Sequence, residues 1–224
     1  RLTAGGNESA FRDTIRQTVH SSLYFVLPMS AGLMAVSRPL ISFLYGGGEF
    51  DGFAVDITSA ALVFLSLGMA GYAVQNILSR AYFARQDGKT PLVAGAVSIL
   101  VNIALCMVLT GPFQVAGLAF SSAVSSTVYA LLLLLPMQRR GEGVLDRTMG
   151  LDLVKMLLAA AVTGLAAAGV LSLLTVVLPG GKIGELLSLG GCALVGLIVY
   201  FVLTLALAVP EAKLVVSLAR GKHE

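Results

Sequence analysis

Residues 92–135, LVAGAVSILVNIALCMVLTGPFQVAGLAFSSAVSSTVYALLLLL, decide the fold. They hold two apolar runs, Leu92 to Thr110 and Val115 to Leu135, with Gly111-Pro112 between them. At about 1.5 Å of rise per residue, each run is long enough to cross a hydrocarbon core of about 30 Å. The hairpin between them is too short to hold a domain, and its glycine and proline suit a helix end. Four more runs of this kind flank the pair: Leu23 to Tyr45, Ile57 to Leu78, Met156 to Leu178 and Leu186 to Val209. The pattern predicts an all-α integral membrane protein with six transmembrane helices.

Composition points the same way. Hydrophobic residues make up 57% of the 224, charged residues only 12%, and mean hydropathy is +0.89. That is too little polar surface to cover a water-soluble globule of this size. A pI near 9.0 raises the question of nucleic acid, but the cations sit in loops rather than on an aromatic-rich polar face, so no nucleic-acid partner is expected. Cys106 and Cys192 lie inside apolar runs as small hydrophobes, indicating neither disulfide nor metal.

The loops set an orientation. Of the 15 Lys and Arg, all but Arg38 and Lys182 lie at alternate junctions: Arg1, Arg12 and Arg16 before the first run; Arg80, Arg85 and Lys89 in the second loop; Arg139, Arg140, Arg147 and Lys155 in the fourth; Lys213, Arg220 and Lys222 in the tail. The first opposite loop is acidic, with Glu49, Asp51 and Asp56. The positive-inside bias therefore places both termini and the basic loops in the cytoplasm, which requires an even number of crossings.

Gly46-Gly47-Gly48 and Pro179-Gly180-Gly181 end helices on the outer side, and Asp56 is expected to start the second crossing at the positive end of its dipole. Residues 1–22 read as a polar or amphipathic cytoplasmic lead-in. Phe11, Ile15 and Val19 recur at helical spacing, so this stretch either lies along the inner interface or simply continues the first helix. Residues 23–136 then supply four crossings, 137–155 a cytoplasmic loop, 156–209 two accessory crossings and 210–224 a cytoplasmic tail. A chain that opens on Arg1 and runs at once into a membrane helix reads as the interior of a longer protein.

The most specific segment is Ser79-Arg-Ala-Tyr-Phe-Ala-Arg-Gln-Asp-Gly-Lys-Thr-Pro91, which combines interfacial aromatics, three cations and an Asp-Gly turn before a helix-starting proline. It resembles the corresponding loop of the MurJ (MviN) lipid II flippases, within the multidrug/oligosaccharidyl-lipid/polysaccharide exporter superfamily. Leu27-Pro-Met-Ser-Ala-Gly-Leu33, Arg38-Pro-Leu-Ile-Ser-Phe-Leu-Tyr-Gly46, Gly48-Glu-Phe50 and Val115-Ala-Gly-Leu-Ala-Phe-Ser-Ser122 are similar to further family segments, in the same order. Family members have fourteen transmembrane helices, and the six runs resemble the ninth to the fourteenth, part of the C-terminal lobe plus two accessory helices. The resemblance implies a bacterial inner-membrane flippase for an undecaprenyl-linked peptidoglycan precursor, working by alternating access. Its partners would be that lipid, membrane lipids and the N-terminal helices of the same protein. The family's groove for the lipid tail would fall on 156–178 and 186–209, although ordinary lipid-facing helices share their composition.

Against that background Arg38, Arg80, Arg85 and Lys89 are candidate contacts for the anionic head group. Each has a plainer reading: Arg38 can pin the outer end of a helix, and the other three already serve orientation. Asp87 and Gly88 form a turn, with Asp87 set to pair with a nearby cation. Pro28, Gly32 and Pro39 mark a helix bend of the kind a rocking transporter needs. Gln75, Asn76 and Asn102 suit interhelical hydrogen bonds, and Gly117, Ser121 and Ser125 form a small-residue packing stripe. No residue set suggests catalysis, a cofactor or a nucleotide-binding loop. The competing functions are an exporter for another polyprenyl-linked oligosaccharide and a non-transporting membrane scaffold of wall synthesis.

Overall fold

The computed structural model describes residues 8–139, 147–177 and 181–212. Its elements are α1 (Glu8–Tyr45), α2 (Gly52–Ala84), α3 (Lys89–Arg139), α4 (Arg147–Val177) and α5 (Lys182–Ala206), all long and apolar enough to cross a membrane. At 51 residues α3 would extend about 76 Å, far more than one crossing needs. Gln114 breaks it, with φ 49° and ψ −128°. Contacts across the break pair early residues with late ones: Tyr129 Oη donates to Pro91 O at 3.3 Å and Ser98 Oγ to Ser125 O at 2.7 Å. Nearer the break, a side chain at Gly117 would come within 2.4 Å of Leu109 O. The two halves are therefore antiparallel, and the described helices make six crossings, as the sequence predicts.

The reversal is not where glycine suggested. Pro112 fits a helical φ and the helix runs on past Gly111 through Phe113, so the positive φ falls on Gln114. At the α1–α2 turn the expectation holds: α1 ends at Tyr45, and Gly47 (φ 125°) and Gly48 (φ 63°) take conformations that a side chain would strain. The expected role of Asp56 at the start of the second crossing is corrected. Helix α2 begins at Gly52, and Asp51 caps it, its Oδ1 accepting from Ala54 N–H at 2.9 Å. A short polar side chain one residue ahead of the helix can reach the free N–H groups; Asp56, a turn further in, cannot. The Pro179-Gly180 turn lies outside the described residues.

The chain divides into two compact units, residues 1–26 with 64–150 and residues 27–63 with 151–224. In the first unit the lead-in is part of α1, which is unbroken from Glu8 onward, and the face bearing Ile15, Val19 and Leu23 is buried in protein. The later part of α2 lies parallel to the second half of α3. Tyr72 Oη donates to Ser122 O at 3.4 Å, Ser79 Oγ to Tyr129 Oη at 3.2 Å and Tyr82 Oη to Leu133 O at 2.8 Å. Gly68 and Gly71 permit this approach, since a Cβ there would lie 2.7 Å from Ala123 Cα and 2.9 Å from Thr127 Oγ1. Two antiparallel turns, at 85–88 and at Gln114, separate these parallel segments, which agrees with the count of crossings.

In the second unit α4 and α5 are antiparallel: Gly196 faces Thr163 and Gly191 faces Leu174. Small residues form the seam, with Ala159, Ala160, Thr163 and Ala167 buried on α4 and Ser188, Cys192 and Gly196 on α5. Leu165, Val176, Ile183 and Leu197 point outward. Small inside and large outside is the arrangement that lipid permits, because burial against lipid tails gains as much as burial in protein and only close backbone approach adds dispersion and hydrogen bonding.

Candidate functional site

The candidate charged residues lie near two turns. At the α2–α3 turn, in the first unit, the end of α2 closes with Gln86 N–H donating to Phe83 O (2.9 Å) and Asp87 N–H to Tyr82 O (3.0 Å). This is the six-to-one, five-to-two bond pair of a helix C-terminus, and the left-handed residue it needs is Gln86, φ 61°. The expectation of an Asp87-Gly88 turn is therefore shifted by a residue. Asp87 serves as the next helix's cap: Oδ1 accepts from Thr90 N–H at 3.1 Å and Oδ2 from Thr90 Oγ1 at 2.8 Å. Asp51-Gly52 and Asp87-Gly88 thus start α2 and α3 by the same device.

Around this turn Arg80 and Lys89 are exposed, as is Gly88. Arg85 is half-buried, its guanidinium carbon 4.8 Å from the ring centre of Phe11 on α1. That contact ties the loop to the stretch that precedes the first apolar run. Arg80, Arg85 and Lys89 share one turn, with two of the three cations open to an anion.

Arg38 belongs to the other unit, near the α1–α2 turn. Its Nε lies 2.8 Å from Asp56 Oδ1, and both side chains remain largely exposed, at 70% and 56%. Asp56 is thus the partner of Arg38 rather than a cap. Tyr45 and Phe50 pack together with ring centres 5.8 Å apart, so Arg38, seven residues before one, and Asp56, six after the other, meet across an antiparallel hairpin. Pro28 and Pro39 lie inside α1, which stays helical through both, and nothing would touch a side chain at Gly32.

Polar residues of the crossings settle differently. Asn102 Nδ2 donates to Ser125 Oγ at 3.2 Å, joining the two halves of α3. Asn76, expected to bridge helices, instead donates to Tyr72 O one turn back on its own helix, at 2.8 Å. An exposed position leaves it no neighbouring helix to reach. Gln75 Oε1 is buried without a hydrogen-bond donor. The Gly117, Ser121 and Ser125 stripe is buried as expected. Among the described residues no three His, Cys, Asp or Glu side chains converge as metal ligands.

Six apolar crossings and small-residue seams define a multi-pass α-helical membrane protein. Residues 1–186 match the family model described as "Lipid II flippase MurJ". The chain belongs to that family. It is 26% identical over 166 residues to a probable lipid II flippase MurJ of Rhizobium meliloti, covering 74% of this chain and 31% of the relative. It is 34% identical over 123 residues to a probable lipid II flippase MurJ of Thermotoga maritima, covering 55% and 26%. The chain therefore spans about a third or less of the length of these relatives. A solved structure titled "Lipid II flippase MurJ, inward closed conformation" superposes with a TM-score of 0.69 over 89% of this chain and 39% of that one, at 24% identity, which supports the fold.

Proposed function

We propose that this chain forms the C-terminal part of a flippase that moves a lipid-linked peptidoglycan precursor outward across the bacterial inner membrane. The observation that carries the reading is the match of residues 1–186 to a family model whose description names lipid II. The relatives reported above bear the same name, which favours this function over the exporter and scaffold readings. Lipid II is a prenyl chain joined to a sugar-peptide head by a pyrophosphate, so its anionic group has to be met by cations on both sides of the membrane. Arg80, Lys89 and Arg85 serve as inner contacts and Arg38 as an outer one. Pro28, Gly32 and Pro39 give α1 the bend that alternating access requires. Both termini lie in the cytoplasm, and the remaining helices of the full-length protein complete the two lobes around the path.

The test is complementation. Cells depleted of their own lipid II flippase should survive on the full-length protein that contains this segment. Continued lysis, with the protein shown to be present in the membrane, would sink the reading.

A further inference from the structure

The Arg38–Asp56 pair carries an inference that rests on the flippase reading and deepens it. Tyr45 and Phe50 fix the top of the α1–α2 hairpin, and Arg38 lies seven residues, about 10 Å, below Tyr45. The pair is therefore within the span of the helices rather than beyond their ends. Yet both side chains are more than half exposed. Charged groups are costly in hydrocarbon and acceptable in a water-filled cavity, so the flippase reading puts this face of the hairpin on the cavity side.

Asp56 engages the guanidinium through Nε. One carboxylate occupies at most two of the five N–H donors of an arginine, so the far edge of Arg38 is left to bond a second acceptor. The same contact fixes the plane of that edge and sets a negative charge beside it. We propose that Asp56 is a positioning residue: it aims Arg38 at the phosphate of the lipid-linked substrate at the outer end of the path, and it weakens the contact so that the substrate is released.

The probe is farnesyl pyrophosphate, titrated against the full-length protein in phosphatidylcholine nanodiscs. Arg38→Gln should weaken binding about fivefold, whereas Asp56→Asn should tighten it about fivefold and steepen its salt dependence, as expected when an unscreened cation replaces an ion pair. The exchange Arg38→Asp with Asp56→Arg keeps the ion pair but moves the cation to the other helix, so it should bind as weakly as Arg38→Gln. A pair that merely staples the hairpin predicts otherwise: both single variants shift binding in one direction, and the exchange restores it. Either result overturns the proposal, and the exchange decides the matter even where a single variant fails to fold. Absence of probe binding by the wild-type protein would overturn the flippase reading itself, and this inference with it.

Discussion

The hydroxyl of Tyr82 donates to the backbone carbonyl of Leu133 at 2.8 Å, and both residues are buried. The bond fastens the C-terminal end of α2 to the C-terminal end of α3, parallel segments 51 residues apart in sequence. Tyr82→Phe keeps the ring packing and removes only the bond, so it should cost about 1 kcal/mol, the usual size of such bonds inside membranes. Tyr82→Ala also leaves a cavity and should cost about 3 to 5 kcal/mol. Unfolding in detergent, followed by circular dichroism, would measure both. Equal losses for the two variants would show that the hydroxyl, not the ring, holds the segments together.

A second prediction concerns the opposite end of the same seam. Gly68 sits so close to Ala123 that an added Cβ would lie 2.7 Å from its Cα, and the obstacle is backbone rather than a pliable side chain. Gly68→Val therefore has to separate α2 from α3 and should destabilise by about 1 to 3 kcal/mol. Gly32→Val, where nothing lies within 4 Å, serves as the comparison and should cost less in detergent melting. Comparable losses at both sites would mean that helix propensity, not packing, sets the effect.

The two Asp-Gly starts furnish a third. Asp51 and Asp87 each accept a backbone N–H three residues on, so Asp51→Ala and Asp87→Ala should each lose about 0.5 to 2 kcal/mol. Asp87→Ser should recover most of that, since a hydroxyl also caps. Hydrogen exchange at Ala54 and Thr90 is the local readout. Unchanged protection there would leave the caps without energetic weight.

These caps also show where the sequence was legible. Run length against bilayer thickness gave six crossings, because hydrocarbon admits no shorter solution and tolerates no unpaired backbone. It gave the hairpin at 111–114 as well, but not its turning residue, since Pro112 lets the helix persist until Gln114 reverses it. The start of α2 is hard to read from sequence for a related reason. Asp56 and Asp51 both look like caps, and only the extent of the Gly46 to Phe50 turn decides between them. Of the candidate site residues, the spacing from that turn could have paired Arg38 with Asp56. The stacking of Arg85 over Phe11 had no such signal, because it joins segments that are distant in sequence.

The last prediction concerns orientation. Helix hairpins in a membrane hold their direction through cations kept on the cytoplasmic side, and the α2–α3 turn carries Arg80, Arg85 and Lys89 where the α1–α2 turn carries Glu49 and Asp51. A single cysteine at Gly47 should react with a membrane-impermeant maleimide in intact cells, while one at Gly88 should react only after permeabilisation. Reversing the three cations to Glu should move the second cysteine toward outside labelling or abolish membrane insertion. Arg80→Glu with Lys89→Glu, leaving the Arg85–Phe11 contact in place, should have a smaller effect, because the stacked arginine still anchors the turn. Outside labelling of Gly88 in the unaltered protein would invert the topology, and with it the assignment of Arg80 and Lys89 to the face from which a cytoplasmic precursor arrives.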